Sequence, residues 1–252
     1  DAQESRGLGD VYKRQVLDNL SFRINSGQKI AIVGVNGAGK STIVSLILGL
    51  YKPSCGKIYI NGIDSDQIEL KDRFKAFATV LQNVDPLAVS IAENVAASSD
   101  NINRDRVVKS LEAAGLAYKL DQVEKGIDTP MTKNIHEDGT LFSGGENQKL
   151  AIARALYKKD AKAIIMDEPT ASLDALAEEE IYRQIENISS DKTLIFISHR
   201  LASTRFCDKI LLLDGGKIKE FGSHHELLKQ DGLYKEMYES QKKYYEEAKN
   251  EK

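Results

Sequence analysis

The chain has 252 residues, of which 41% are hydrophobic and 29% are charged, and its formal net charge is −3. This length and apolar content are sufficient for a globular protein with a substantial buried core. The slightly acidic balance provides no basic field for a nucleic-acid backbone, so we predict no nucleic-acid partner. Cys55 and Cys207 are far apart and lack metal-site spacing, which favours a reducing compartment over a disulfide scaffold.

No segment of the sequence is typical of a membrane span or of a secretory signal. The densest apolar stretches, residues 43–50 and 210–213, are far shorter than the roughly 20 residues that a transmembrane helix requires. The N-terminus lacks a basic segment followed by an apolar one. We therefore expect the chain as given not to cross a membrane.

The first 15 residues are not expected to belong to the fold. Residues 5–15 match the translation of a transposase sequencing adapter, and a native linker would rarely match it over such a length. We interpret residues 1–15 as an adapter scar and Val16 as the first native residue. Because an adapter marks the point where a sequencing read began, we expect the gene to extend upstream of Val16.

After this segment the pattern alternates between short strands and helices. Leu20, Phe22 and Ile24 alternate with polar residues, which predicts a half-buried strand, and residues 30–33 form an apolar run typical of a buried parallel strand. Further strands are predicted at 57–60, 79–81, 163–166 and 193–197, helices at 40–50, 107–114 and 143–157, and a hairpin at 210–219. The charged, tyrosine-rich stretch after Gly232 is expected to be a solvated helix that frays toward Lys252.

Residues of chemical interest follow four of the predicted strands. Gly34, Gln82, Asp167 and His199 each lie at or just past the carboxyl end of an apolar run. In open α/β sheets, ligands bind outside the carboxyl ends of the strands. We therefore expect these four residues to surround one site.

Residues 34–42 read Gly-Val-Asn-Gly-Ala-Gly-Lys-Ser-Thr, a glycine-rich phosphate loop between a predicted strand and a predicted helix. The glycines let backbone N–H groups turn inward around a phosphate, and the helix directs its positive N-terminal end at the same anion. Lys40 is predicted to bridge the β- and γ-phosphates of a nucleotide, and the Ser41 hydroxyl to bind Mg²⁺. The predicted phosphate-binding residues are Gly34, Asn36, Gly37, Ala38, Gly39, Lys40, Ser41 and Thr42.

Two further motifs support a nucleotide site. Asp167 ends an apolar strand, where a carboxylate has no packing role, and it is predicted to hold Mg²⁺ through water. Without the phosphate loop, Asp167-Glu168-Pro169 would be interpreted as a strand-ending turn. Ser143 followed three residues later by Glu146, ahead of an apolar-periodic helix, is a capping box.

The phosphate loop, residues 142–146 (Phe-Ser-Gly-Gly-Glu) and residues 164–169 (Ile-Ile-Met-Asp-Glu-Pro) closely resemble, in order and spacing, the ATP-binding cassette (ABC) family. Two domains of that family sandwich ATP. The resemblance covers residues 16–238 and implies an α/β P-loop NTPase (RecA-like) fold: a parallel-sheet core, an antiparallel β subdomain and an inserted helical subdomain. The implied divisions are an ATPase domain at 16–235, with its core at 16–82 and 159–235 and its helical subdomain at 83–158, and a charged helical tail at 236–252.

The resemblance also implies roles for residues in the matching motifs. Glu168 is the general base that activates the hydrolytic water, and His199 contacts the γ-phosphate and organises that water. Ser143, Gly144 and Gly145 present a helix start to the γ-phosphate of an ATP that the other domain holds. The implied cofactors are ATP and Mg²⁺.

Two more residues take roles from the family. Gln82 reaches the Mg²⁺ site and relays movement to the transport domain, and Asp174 communicates across the dimer. Taken alone, Asp174 would be a helix N-cap and a strand-ending His199 a satisfied polar residue. The predicted catalytic residues are Lys40, Gln82, Glu168 and His199, and the predicted metal-binding residues are Ser41, Gln82 and Asp167.

Three features stand apart from these motifs. Glu146 occupies a position where the family has glutamine, which adds a negative charge beside an anionic ligand. His136, His224 and His225 match no metal-site spacing and are expected to be solvated loop residues. Tyr12 lies where an adenine-stacking aromatic residue is common, but it falls within the adapter segment and is not assigned.

Within the ABC family the resemblance is to exporters. It rests on residues 90–95 (Ser-Ile-Ala-Glu-Asn-Val), 199–204 (His-Arg-Leu-Ala-Ser-Thr) and 222–228 (Gly-Ser-His-His-Glu-Leu-Leu). The implied partners are a second ABC ATPase domain, identical or not, and an exporter transmembrane domain fused upstream. The implied location is the cytoplasmic face of the inner membrane.

Three alternatives remain open at this point. The chain could be the separate ATPase subunit of an ABC importer, or a soluble ABC ATPase of DNA repair or translation. Repair members carry long coiled-coil inserts and a basic face, and this sequence has neither. A switch that binds ATP without turnover is the third alternative, but Glu168 and His199 favour hydrolysis.

Overall fold

A computed structural model describes residues 15–81, 85–132, 139–170, 178, 181–183, 185 and 192–250, with the backbone alone for 244–250. The predicted functional residues Gln82 and Asp174 lie outside these ranges, as do Tyr12 and His136. None of the helices in the described part of the chain is both long enough and apolar enough to cross a bilayer.

A six-stranded sheet lies at the centre of the fold. The strands are β1 (Lys29–Gly34), β2 (Tyr59–Ile60), β3 (Ile63–Asp64), β4 (Phe77–Val80), β5 (Ala163–Asp167), β6 (Thr193–Ile197), β7 (Lys209–Asp214) and β8 (Lys217–Gly222). The central sheet has the order β4-β5-β6-β1-β7-β8, and β2 and β3 form a separate antiparallel hairpin. All neighbours in the central sheet are parallel except β7 and β8. The carboxyl ends of β1, β5 and β6 therefore meet at one edge of the sheet.

Seven α-helices with described bounds surround these strands. They are α1 (Lys40–Leu48), α2 (Leu70–Ala76), α3 (Ile91–Ala96), α4 (Arg104–Ala113), α5 (Gly144–Tyr157), α6 (His224–Lys229) and α7 (Leu233–Asn250). The segment between β4 and β5 contributes α3, α4 and α5, which pack on one another. The predicted helical stretch before residue 163 thus contains three α-helices in its described part.

The apolar runs of the inner strands reflect burial of both faces of the sheet. In β1, Ile30 and Ile32 pack in the same cluster as Ile43 and Val44 of α1. Ala31 and Val33 point to the opposite cluster, to which α5 contributes apolar side chains. Because alternate residues of a strand face opposite sides, a strand covered on both sides is apolar at every position.

The predicted strand at residues 20–24 is wrong for the backbone, although the predicted alternation in burial is present. Leu20, Phe22 and Ile24 are half-buried against the α1 side of the sheet, and Ser21 and Arg23 are exposed. The segment is not assigned to any strand. Burial of every second side chain requires only an apolar surface, whereas a strand also requires a hydrogen-bonding backbone beside it.

The start of the tail is not solvated, which corrects the expectation for it. Tyr234, in the first turn of α7, is fully buried, and its hydroxyl lies 2.7 Å from Nδ1 of His224 and 3.3 Å from Oγ1 of Thr204. His224 and His225 lie in α6 rather than in a loop, and only His225 is exposed. Burial, together with the charge of Arg205, lowers the pKa of His224.

Replacing Tyr234 by alanine is expected to lower the free energy of unfolding by about 3–5 kcal/mol, because it deletes a fully buried aromatic ring. The matched control is Tyr51→Ala, since Tyr51 is 61% exposed. The control should change the free energy by less than about 0.5 kcal/mol. The chain contains no tryptophan, so urea unfolding followed by far-UV circular dichroism is the suitable measurement. Equal losses in the two variants would show that α7 does not pack on the core as described.

Candidate active site at the carboxyl ends of the parallel strands

The phosphate loop leaves the carboxyl end of β1 at a point where the backbone has no room for a side chain. A Cβ atom at Gly34 would lie 2.3 Å from the carbonyl oxygen of Leu213 in β7. Gly37 and Gly39 have φ angles of 80° and 102°, in the region that favours glycine. Ala38 between them is buried, whereas Asn36 and Gly37 are exposed.

The start of α1, at the end of the loop, has features that favour a bound anion. Gly39 is the N-cap of α1, and the first turn of the helix contains no acidic residue. Ser41 is exposed and Thr42 partly buried in that turn. Free N–H groups and the helix dipole at such an end favour a bound phosphate.

The Lys40 ammonium group is held inside the phosphate loop. Its Nζ donates hydrogen bonds to the carbonyl oxygens of Gly34, at 2.9 Å, and of Val35, at 3.2 Å. Burial lowers the pKa of Lys40, and the carboxylates of Glu168 and Asp167 partly oppose that shift. The ammonium group therefore lies where phosphate oxygens can replace the two carbonyls as its hydrogen-bond partners.

The two predicted metal-binding residues that the structure describes are in contact. Asp167 at the end of β5 shares a hydrogen bond with the Ser41 hydroxyl. Burial raises the pKa of Asp167, as does the charge of Glu168, while the bond to Ser41 and the charge of Lys40 lower it. The Asp167 carboxylate and the Ser41 hydroxyl are oxygen ligands of the kind that Mg²⁺ prefers, and a cation would stabilise the ionised carboxylate.

Glu168 and His199 meet across the ends of β5 and β6. Oε1 of Glu168 lies 3.3 Å from Nδ1 of His199, and the two side chains are 15% and 45% exposed. Glu168 has a φ angle of 48°, which is uncommon for a residue with a side chain, and its N–H donates to the carbonyl of Ile197 at 3.0 Å. The left-handed backbone turns this carboxylate out of the strand and towards the imidazole.

The helix start formed by Ser143, Gly144 and Gly145 lies at α5, in the helical segment between β4 and β5. The predicted capping box is present: Ser143 Oγ accepts from the N–H of Glu146 at 3.3 Å, and Oε2 of Glu146 accepts from the N–H of Ser143 at 2.7 Å. Ser143 and Gly144 are exposed. This second helix N-terminus is therefore accessible to an anion brought from outside.

The family model for the ABC transporter matches residues 17–171. The chain belongs to the ABC transporter family. The "ATP-dependent lipid A-core flippase" of Burkholderia pseudomallei is 40% identical over 228 residues, which are 90% of this chain and 37% of that protein. The flippase of the same name from Vibrio vulnificus is 37% identical over 230 residues, 91% of this chain and 39% of that protein.

A solved structure of a bacterial Atm1-family ABC exporter with ATP bound is also similar. Its TM-score is 0.83 at 36% identity, and the match covers 92% of this chain and 40% of that one. The predicted P-loop NTPase fold and the predicted ATP-binding, ATPase domain of exporter type are confirmed. The chain spans about two fifths of the length of these relatives.

The ABC domain contains a polar cluster that the sequence interpretation missed. The buried carboxylate of Glu178 accepts hydrogen bonds from Thr170, Tyr182 and Arg200, and the bond from Thr170 measures 3.0 Å. Thr170 follows the Asp167-Glu168-Pro169 turn, and Arg200 follows His199. Glu178 therefore connects the segments that carry the two central side chains. Only the spacing of Glu178 and Tyr182, one helical turn apart, could have indicated it.

Replacing Glu178 by alanine is expected to destabilise the domain by about 2–3 kcal/mol, because Arg200 loses its ion-pair partner at a site with little water. Glu178→Gln is the matched variant, since it keeps acceptors for Tyr182 and Thr170 and should lose about half as much. Urea unfolding of both variants provides the comparison. If Glu178→Gln is as unstable as Glu178→Ala, the ion pair dominates and the neutral hydrogen bonds contribute little.

Proposed function

We propose that this chain is the ATPase half of an ABC exporter, and that two such domains close around ATP to drive transport through a fused membrane part. The observation that carries the proposal is the meeting of Glu168 and His199, 3.3 Å apart, beside the contact of Ser41 with Asp167. A carboxylate base and an imidazole next to a phosphate loop suit hydrolysis better than storage of ATP.

The phosphate loop provides the ATP-binding part of the proposal. Backbone N–H groups of Gly34 to Thr42, with Asn36, Gly37, Ala38 and Gly39 between them, surround the β-phosphate of ATP. Lys40 bridges the β- and γ-phosphates from its position beside the Gly34 carbonyl. Ser41 and Asp167, with Gln82 as the remaining predicted ligand, would hold Mg²⁺, which would neutralise phosphate charge.

Glu168 and His199 perform the proposed proton handling. A water molecule attacks the γ-phosphorus, the bond to the oxygen that bridges the β- and γ-phosphorus atoms breaks, and ADP and phosphate leave. The Glu168 carboxylate accepts the proton of the attacking water. His199 hydrogen-bonds the γ-phosphate and keeps that water in line.

The exposed start of α5 suits a sandwich of two domains. The Ser143 hydroxyl and the backbone N–H groups of Gly144 and Gly145 lie at a positive helix end, and we propose that they bind the γ-phosphate of an ATP on a second domain. Asp174 is proposed to communicate across the same interface. A second copy or a related ABC domain is therefore the proposed partner.

The membrane part of the proposal rests on length and on exposed apolar side chains. The chain spans 37% to 40% of its relatives, which leaves room for a membrane domain in a longer protein. Leu81 and Leu87, on either side of the segment that holds Gln82, are exposed and offer an apolar contact for it. We propose docking there, on the cytoplasmic face of the inner membrane, and no nucleic-acid partner.

The domain divisions also remain proposals. We propose an adapter scar at 1–15, an ATPase domain at 16–235 with its core at 16–82 and 159–235 and its helical subdomain at 83–158, and a charged tail at 236–252. Sequencing the source DNA upstream of Val16 without adapters tests the fused architecture. An open reading frame with about six apolar segments of roughly 20 residues would support it. A nearby start codon without them would favour a separate importer subunit or a soluble ATPase.

Glu168→Gln should lower kcat for ATP hydrolysis by about 100-fold or more, because the amide cannot accept the proton of the attacking water. ATP binding should remain, since Gln retains the size of the side chain. Phosphate release and equilibrium ATP binding are the two measurements. The charge-matched control is Glu112→Gln on the exposed face of α4, which should leave both unchanged. Wild-type turnover in Glu168→Gln would remove this residue from the mechanism.

The negative charge of Glu146 should repel the ATP of a second domain less than the sequence alone implies, because a lysine pairs with it. Oε1 accepts from Lys119 Nζ at 2.9 Å and from the Tyr118 hydroxyl at 3.0 Å, and the ion pair is only 16% and 14% exposed. Burial raises the pKa of Glu146, but bonds from Ser143, Lys119 and Tyr118 outweigh it and hold that pKa below its usual range. Lys119 therefore balances the carboxylate at the start of α5.

Glu146→Gln should still tighten ATP-dependent dimerisation, by about twofold, because it removes a negative charge near the γ-phosphate. Lys119→Met should weaken dimerisation by about fivefold, since it leaves that carboxylate unbalanced. The double variant should return close to the wild-type value. Analytical ultracentrifugation with ATP, in a Glu168→Gln background, measures all three. A dimer of Glu146→Gln that is unchanged or weaker than wild type would contradict the electrostatic argument.

A further inference from the structure

The tail helix α7 reaches the histidine segment through the side-chain amide of Gln241. Nε2 of Gln241 donates to the carbonyl oxygen of His199 at 2.7 Å, and Oε1 accepts from the N–H of Leu201 at 2.8 Å. One carboxamide thus bridges two backbone groups on either side of Arg200. Because the carboxamide both donates and accepts, the two hydrogen bonds fix the orientation of this backbone segment relative to α7 as well as its distance from the helix.

Other contacts of residues 198–201 involve Ser198, the Arg200 side chain and the His199 ring, whereas the His199 carbonyl oxygen accepts its hydrogen bond from Gln241. Ser198 Oγ accepts from the N–H of Arg200 at 2.9 Å, which closes a local turn. The Arg200 guanidinium binds Glu178 on the opposite side. The His199 ring itself is 45% exposed and meets Glu168 at 3.3 Å. Its direction therefore depends on the backbone that carries it.

Gln241 lies on a face of α7 that packs against the core. Tyr234, Tyr238 and Gln241 follow one another at spacings of four and three residues, which places them on the same face of α7. Tyr234 is fully buried, and the Tyr238 hydroxyl accepts a hydrogen bond from Arg205, whose guanidinium also lies 5.6 Å from the Tyr238 ring centre. The amide of Gln241 therefore has little freedom to move away from His199.

We propose that Gln241 is a positioning residue for His199, so that the tail helix is a working part of the active site. The proposal rests on the role proposed above for His199 in hydrolysis. The Gln241 amide contacts the backbone of His199 and Leu201, so its effect on the reaction would pass through the histidine. Its loss should therefore lower the rate of the chemical step while leaving ATP affinity in place.

Two substitutions of Gln241 separate the two hydrogen bonds. Gln241→Glu keeps an acceptor for Leu201 but loses the donor to His199, and Gln241→Leu loses both. We expect kcat for ATP hydrolysis to fall about fivefold in Gln241→Glu and about tenfold in Gln241→Leu, with KM for ATP within about twofold of wild type. Ser240→Glu, which adds the same charge at an exposed neighbouring position, should behave as wild type.

A second measurement reports on geometry without turnover. The N–H of Leu201 should lose protection from hydrogen exchange in Gln241→Leu and keep it in Gln241→Glu. Urea unfolding of both variants identifies any general loss of stability, which would accelerate exchange across the whole domain. Unchanged kcat, or a rise in KM equal to the fall in kcat/KM, would overturn the proposal.

The His199→Ala background distinguishes failure of this proposal from failure of the proposed mechanism. If His199 acts as proposed, His199→Ala lowers kcat, and adding Gln241→Leu lowers it no further. A further decrease of the same size would show that Gln241 acts elsewhere and would overturn the positioning role. If His199→Ala retains wild-type kcat, the role proposed for the histidine is wrong, whatever the Gln241 variants show.

Discussion

Two adjacent carboxylates, Asp167 and Glu168, lie at the end of a buried strand, and the remaining groups of the site are arranged around these two negative charges. Burial and the neighbouring Glu168 raise the pKa of Asp167, so the ionised form needs help. Compensating groups for the two carboxylates come from two different elements. Ser41 and Lys40 reach Asp167 from the start of α1, and His199 reaches Glu168 from the end of β6. Each of these contacts exists because parallel strands bring their carboxyl ends to one edge.

The same electrostatic logic recurs at the start of α5, where a carboxylate again lies beside a helix N-terminus. Glu146 serves the capping box through one oxygen and receives Lys119 and Tyr118 at the other. A helix N-terminus favours an acidic cap, and the Lys119 ion pair balances the charge that this cap adds. In this chain the balance is supplied by a residue 27 positions earlier, within the same helical segment.

Much of the fold was predictable because its signals are local. The strand at residues 193–197 was predicted with the bounds that the structure shows, since a continuous apolar run between polar residues leaves little choice. The helix after the phosphate loop ends at Leu48, where Gly49 adopts a φ angle of 79°. The strand predicted at 20–24 was wrong for the opposite reason. Alternation of apolar and polar residues indicates burial on one side, but it does not indicate whether a neighbouring backbone is available for hydrogen bonds.

The candidate site divides in the same way. Lys40, Asp167 and Glu168 stand in motifs whose spacing carries their chemistry, so sequence alone could nominate them. Glu178 and Gln241 act on residues 22 and 42 positions away, through contacts that only the packed chain creates. No pattern in a single sequence encodes such pairs. His224 was likewise interpreted as a solvated loop residue, because the sequence around it does not indicate its contact with the buried Tyr234.

The position of Gln241 also affects how this domain can be dissected. All of the ABC sequence motifs lie before α7, so a fragment that ends at residue 235 would contain each of them. Such a fragment would keep Tyr234 and much of the core, and it would still carry the phosphate loop, Glu168 and His199. It would lack the amide that bridges His199 and Leu201. A fragment can thus contain every ABC motif and still lack the hydrogen bonds that hold the backbone at His199.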